Sequence, residues 1–199
     1  MRAGYMPAVG VAEFRDDMPE PQIEKADDVK IRVRNCGICG SEVHAIHGLH
    51  PFRIPPIVSG HEVAGDVVAV GEGVTKFKVG DRVTVEPHYG CGHCWYCDHG
   101  LYNVCPDKKV LGAGPWSGGL GEYIVTPEQT VVKLPDSLTY EEGALIEPVA
   151  NGMYAVRNSK IDEETNIVVI GCGPIGIGDY LCAKLYGPKN ILMVDVSDF

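Results

Sequence analysis

The chain has 199 residues, 45% of them hydrophobic, which is enough to bury the core of one large domain or of one and a half ordinary ones. Its 17 basic and 27 acidic side chains give a formal charge of -10 spread along the chain, which opposes nucleic acid or an anionic membrane as a partner. No run approaches the ~20 apolar residues of a bilayer span, and Met1-Arg2-Ala3-Gly4 lacks the apolar core of a signal peptide, so the expected location is the cytoplasm.

From Val29 to Arg34, apolar Val29, Ile31 and Val33 alternate with Lys30, Arg32 and Arg34, the period of a half-buried strand. Similar β signals recur at 62–70, 82–85, 123–125 and 130–133, separated by breakers such as Gly71-Glu72-Gly73 and Pro55-Pro56. The first 135 residues therefore read as short strands and loops of a barrel-like β domain. The pattern changes at Pro135. Thr139 with Glu142 three residues on is a capping box that opens a helix, and Pro148 is expected to interrupt it before a second helical stretch through Met153 and Val156. Residues 166–170 then read as a buried strand, 174–186 as a helix and 190–194 as another strand, together one βαβ unit.

Eight cysteines would suit disulfides in a small secreted domain, but four crowd into residues 91 to 105 and nothing directs export, so metal ligation is the better reading. Cys91, Cys94, Cys97 and Cys105 follow a C-x2-C-x2-C-x7-C spacing, interleaved with Gly90, Gly92 and Gly100. Four thiolates about 2.3 Å from a metal close a tetrahedral shell with no place for water, the design of a structural zinc site. An iron–sulfur cluster and a pair of disulfides are the rival readings. His93 and His99 are spare donors expected on the surface.

A second set of donors lies upstream, in Cys36-Gly37-Ile38-Cys39-Gly40-Ser41-Glu42-Val43-His44 and in Gly60-His61-Glu62. A catalytic zinc takes three protein ligands and keeps an exchangeable position, which a mixed sulfur, nitrogen and oxygen set on separate loops satisfies. The blander alternatives are a Cys36/Cys39 redox pair, a core histidine at 61 and a solvated helix acid at Glu147.

Gly171-Cys172-Gly173-Pro174-Ile175-Gly176 follows the 166–170 strand and opens a helix, the context that makes G-x-G-x-x-G a nucleotide turn. Gly171 allows the turn, Gly173 lets the backbone approach a pyrophosphate and Gly176 packs helix on strand. Asp195, ending the next strand about 20 residues on, is placed to bond ribose hydroxyls and to repel a 2′-phosphate, so NAD is favoured over NADP.

Taken in order, Gly37-Ile38-Cys39-Gly40-Ser41 with His44, then Gly60-His61-Glu62, the cysteine lobe and the glycine-rich turn resemble the zinc-containing medium-chain dehydrogenases, over essentially the whole chain. The nearest branch contains sorbitol, threonine and butanediol dehydrogenases. The resemblance implies a mixed α/β fold, a GroES-like β-barrel catalytic domain over 1–150 followed by a linker helix and the first βαβ unit of a Rossmann fold over 151–199. It implies two zinc ions, one structural and one catalytic. Cys39 and His61 match the catalytic ligands, Glu62 the acid that binds the metal directly or exchanges with water, and Glu147, in Glu147-Pro148, a ligand direct or through water.

Ser41, touching the substrate oxygen, and His44, reached through the nicotinamide ribose, are implied as a proton relay; the bland alternatives are a helix cap for Ser41 and solvation for His44, as for His47 and His50. Cys36 is expected to be a structural bystander, and Arg53 to line the substrate channel or sit on the surface. NAD, a small-molecule alcohol or polyol substrate and a homo-oligomer are likewise implied. A six-stranded nucleotide domain needs roughly 130 residues, so residues 166 to 199 make a partial one, with exposed sheet edges and apolar surface. Asp179, on a helix that usually packs against the sheet, is a departure. The competing expectation is a non-catalytic zinc-binding module left from a shortened dehydrogenase.

Overall fold

The computed structural model describes residues 1–197 and gathers them into two units, the first Met1–Ala144 and the second from Leu145 onward. The first opens with antiparallel strands β1 (Ala3–Ala8) and β2 (Val11–Arg15), turned at Gly10 with φ +80. Then come β3 (Asp28–Gly37), the short helix α1 (Gly40–Ile46), β4 (Glu62–Val70) and β5 (Arg82–Val85). The two-residue strands β6 (His88–Tyr89) and β7 (Lys109–Val110) bracket the cysteine lobe, which holds the single turn α2 (Trp95–Asp98). Strands β8 (Tyr123–Pro127) and β9 (Val131–Lys133) and helix α3 (Tyr140–Ala144) complete the unit.

Five of these strands form one antiparallel sheet in the order β8-β3-β4-β5-β9. Its edge strands, β8 and β9, are joined by only the 3-10 turn Glu128–Thr130, so the sheet must curl until its edges approach. Thr126 and Thr130 hydroxyls bond each other at that seam. Inside the curl, Val29, Ile31, Val63, Val67, Val83, Val85, Ile124 and Val131 pack against Leu111. This is the half-barrel that the alternating strands predict. Lys30, expected to face water, is buried, because its ammonium pairs with Glu20 and lies over the Tyr123 ring.

Helix α3 starts at the predicted capping box, with Glu142 N–H donating to Thr139 Oγ1 (3.2 Å) and Thr139 N–H to Glu142 Oε2 (2.8 Å). The helical break comes at Leu145 and not at Pro148. Helix α4 (Ile146–Asn158) carries Pro148 in its first turn, where a missing N–H leaves no intrahelical bond unmade.

The second unit continues with β10 (Asn166–Ile170), α5 (Pro174–Lys184) and β11 (Asn190–Val194), and the two strands pair in parallel. Helices α4 and α5 meet so closely that a Cβ on Gly152 would stand 2.6 Å from the Gly178 carbonyl carbon. Cys182 and Ala183 of α5 pack with Val156, Ile167 and Ile191 on one sheet face. The opposite face exposes Val168, Ile170, Leu192 and Val194, the apolar surface expected of a lone βαβ unit. Asp179 is half-buried and lines a cavity of about 420 Å³ beside β10.

Candidate functional site

The cysteine lobe converges as its spacing predicts. Sγ–Sγ distances are 3.6 Å for Cys94–Cys97, 3.7 Å for Cys94–Cys105 and 4.0 Å for Cys91–Cys97, and all four sulfurs lie within 4.8 Å of one another. Four sulfurs about 2.3 Å from one tetrahedral ion would stand about 3.8 Å apart, so the lobe fits a single zinc. All eight cysteines are free thiols, which removes the disulfide reading. Glycine is required at 90, where a Cβ would stand 2.5 Å from Cys97 Sγ. The Cys91 N–H donates to Cys105 Sγ (3.4 Å) and draws that thiol down to about 7, while burial and the neighbouring sulfurs push Cys94 up to about 11. His93 and His99 are exposed, and His99 stacks on Trp95, so neither serves the lobe.

The second donor set is assembled by the ends of β3 and β4 and by α1. Cys39 is the N-cap of α1, and its sulfur, a Glu42 oxygen and a His61 nitrogen lie within 4.8 Å of one another. Donor atoms of His61 and Glu62 are also within 4.8 Å. Glu62 pairs with Gly37 across the sheet, and its carboxylate occupies the space a side chain there would fill: a Cβ on Gly37 would stand 1.9 Å from Glu62 Oε2. Glu147 lies in the first turn of α4, in the second unit, with its backbone carbonyl accepting from Asn151.

Glu42 is the residue that sequence reasoning missed. It is 2% exposed, and its Oε1 accepts from Ser59 Oγ (2.9 Å) and lies 3.0 Å from His61 Nδ1, while Oε2 accepts the Cys39 N–H (2.9 Å). Burial alone would raise its pKa, but His61, the Arg53 cation and Ser59 outweigh that and bring it down to about 2. With Nδ1 engaged by a carboxylate, the other imidazole nitrogen is left for a metal. The spacing of Cys39 and Glu42, N-cap to N3, was the available signal, since it is a capping-box spacing.

Ser41 lies inside α1 and does not cap it; Cys39 takes that position. The Ser41 Oγ is buried and has no hydrogen-bond partner among the described residues. His44, one turn on, is exposed, as is His47. His50 is half-buried, its Nδ1 accepting the Arg53 N–H (3.1 Å). Arg53 is neither a surface residue nor free to move in a channel. It is 4% exposed, with Nη1 donating to the carbonyls of Leu111 (3.0 Å) and Gly112 (2.9 Å). Burial pushes the Cys36 thiol up to about 12, with the Glu42 and Glu62 carboxylates adding to it, which suits an inert bystander better than a redox partner.

In the second unit, Gly171 adopts φ +106, Gly173 is the N-cap of α5 with open space around it, and Pro174 is its first residue. Ile175 is exposed in the first turn. A Cβ on Gly176 would stand 1.8 Å from the Gly171 oxygen, so this position admits only glycine. Asp195 Oδ2 accepts the Cys172 N–H (2.6 Å), which lowers its pKa and fixes the carboxylate beside the turn.

A family model described as the alcohol dehydrogenase GroES-like domain matches residues 25–136. The chain belongs to the alcohol dehydrogenase GroES-like family. Cys39, His61, Glu62 and the four-cysteine lobe all lie inside the matched GroES-like segment, and the glycine turn lies beyond it. Sorbitol dehydrogenase of Bacillus subtilis is 40% identical over 185 residues, 92% of this chain and 52% of the relative. Galactitol-1-phosphate dehydrogenase of Escherichia coli superposes with a TM-score of 0.92 at 32% identity, covering 100% of this chain and 56% of that one. A zinc-binding dehydrogenase of Sinorhizobium meliloti, solved with NADP, gives a TM-score of 0.88 at 33% identity over 96% of this chain and 55% of that one. The chain spans about half the length of the curated relatives it matches. Among the described residues, no helix is long and apolar enough to cross a membrane.

Proposed function

We propose that this chain carries the metal-binding half of a zinc-dependent oxidoreductase that moves hydride between NAD and a secondary alcohol or polyol. The observation that carries the reading is the convergence of Cys39 and His61, the imidazole engaged by Glu42, with the buried hydroxyl of Ser41, unpartnered among the described residues, two positions along the chain from Cys39. Cys39 and His61 are the proposed protein ligands of the catalytic zinc, with Glu62 and Glu147 as the acids that complete or exchange at its shell. The cysteine lobe is the proposed structural zinc site. When bound, the catalytic zinc would acidify a substrate hydroxyl and the nicotinamide would accept the hydride.

The chain's own residues handle the proton. Ser41 Oγ, which has no hydrogen-bond partner among the described residues, would accept it from the substrate hydroxyl and release its own hydroxyl proton through the nicotinamide ribose toward His44. His44, exposed three residues along α1, passes it to water. Cys36, with its thiol pushed up, stays protonated and takes no part.

For the nucleotide, the Gly171 and Cys172 N–H groups are engaged by Val194 O and Asp195 and Pro174 has none, so the N–H groups of Gly173, Ile175 and Gly176 are the proposed pyrophosphate contacts. Asp195, anchored by Cys172 N–H, keeps lone pairs for the ribose hydroxyls, and its charge disfavours a 2′-phosphate, supporting NAD. The expected assembly is a homo-oligomer. Calorimetric titration of the protein with NAD and with NADP tests the cofactor reading. Submillimolar NAD binding, weakened by Asp195→Ser and tighter than NADP, is the expected result; equal or preferential NADP binding overturns the assignment of Asp195.

A further inference from the structure

We infer that Arg53 is a positioning residue for the catalytic metal centre, holding the Glu42 carboxylate against His61 and tying it to the segment that leaves the cysteine lobe. The inference rests on the metal site proposed above. The Arg53 and Glu42 side chains are 4% and 3% exposed, and Nη1 stands 3.4 Å from Glu42 Oε1. A cation and an acid are expensive to bury, so a pair this enclosed must be fastened on all sides to be kept.

Arg53 is fastened. The same nitrogen reaches Gly112 O at 2.9 Å, Leu111 O at 3.0 Å and Ser59 Oγ at 3.3 Å. Leu111 and Gly112 directly follow β7, the first strand after the four cysteines. Gly112 has φ +70, and a Cβ there would stand 3.0 Å from Arg53 Nη1 and 2.9 Å from Gly60 N, so that residue is cut back to let the guanidinium and the His61 loop close in.

Glu42 Oε1 is thus met from three sides by Ser59, His61 and Arg53. Without the guanidinium, the Glu42 side chain loses the contact that ties it to the Leu111–Gly112 segment, and the imidazole of His61 is aimed less firmly. Arg53 thus ties the Glu42 carboxylate to the segment that follows the cysteine lobe.

The test uses the full chain loaded with zinc, and follows zinc release to a colorimetric chelator and the visible spectrum after cobalt replaces the faster-leaving ion. Arg53→Met is expected to keep the lobe zinc, release the other about tenfold faster or more, and shift the cobalt bands. Arg53→Lys, which keeps a buried cation with donors, should bring release back to within a few-fold of the parent. If Arg53→Met does not fold, Arg53→Gln replaces it with the same expectation. Unchanged release and unchanged cobalt bands in the folded variant overturn the inference. A parent that holds only the lobe zinc overturns the proposed function instead.

Discussion

Glu42 Oε1 stands 3.0 Å from His61 Nδ1, so a buried acid engages that ring nitrogen and leaves Nε2 for the proposed zinc. Such outer partners typically control 10–100-fold in metal affinity. Glu42→Ala is therefore expected to weaken the exchangeable zinc by about that factor and to leave the lobe zinc in place. Glu42→Gln, which keeps a carbonyl acceptor, should lose less. Competition with a chelator of known affinity measures both, and equal affinity in Glu42→Ala and the parent would contradict the role.

A methyl at Gly37 must collide with Glu62, since its Cβ would stand 1.9 Å from Oε2 and 3.0 Å from the Glu62 Cβ. The strands pair at this position, so the backbone has little room to retreat. Gly37→Ala is expected to cost about 1–3 kcal/mol by overpacking and to displace the Glu62 carboxylate from the site. Thermal unfolding and zinc content measure the two effects, and an unchanged exchangeable zinc would remove Glu62 from the metal shell.

Cys105 is buried and receives the Cys91 N–H, so its sulfur has little freedom to be replaced. Cys105→Ser should lose the tightly held zinc and at least about 3 kcal/mol of the stability that metal supplies. That corresponds to a fall in Tm of roughly 6–12 °C for a chain of this size. Retention of two zincs by this variant would contradict the four-thiolate assignment.

Acid sensitivity has a definable origin in Asp66. Burial alone would raise its pKa, but the Tyr140 hydroxyl and the Arg34 guanidinium outweigh that and hold it below the ordinary aspartate value. A lowered pKa in the folded state means the unfolded chain takes up the proton first. The network therefore stabilises above about pH 4 and is lost as pH falls below it. Asp66→Asn should be less stable than the parent at pH 7 in urea, with the difference shrinking at pH 3. A difference that stays constant with pH would show that the charge is not involved.

Much of this arrangement was legible in the chain itself, where local chemistry decides the outcome. The Glu62–Val70 strand, the Thr139–Glu142 box and the turn at Gly171 depend on neighbours in sequence, and each appears where its pattern puts it. Strands β1 and β2 were missed because Ala3–Ala8 has no clean alternation and Val11–Arg15 is largely exposed. Pro148 was misread as a break because a proline in the first turn and one in a helix interior look alike until the start is known.

In the candidate site, the residue types that converge, Cys39, His61 and Glu62, stand out in the sequence through a family resemblance, but the residues packed around them do not. Glu42 reads locally as a capping acid, and its partners Ser59 and His61 are 17 and 19 positions away. Arg53 reads as a surface charge until folding brings Leu111 and Gly112, 58 and 59 positions on, around it.

Zinc content of the purified protein by elemental analysis, followed through a chelator series, tests the central claim most directly. The expected result is about two zincs per chain, one leaving readily and one held until the cysteine lobe is denatured. A single tight zinc would contradict a metal site at Cys39 and His61, and iron or no metal would contradict the account of both sites.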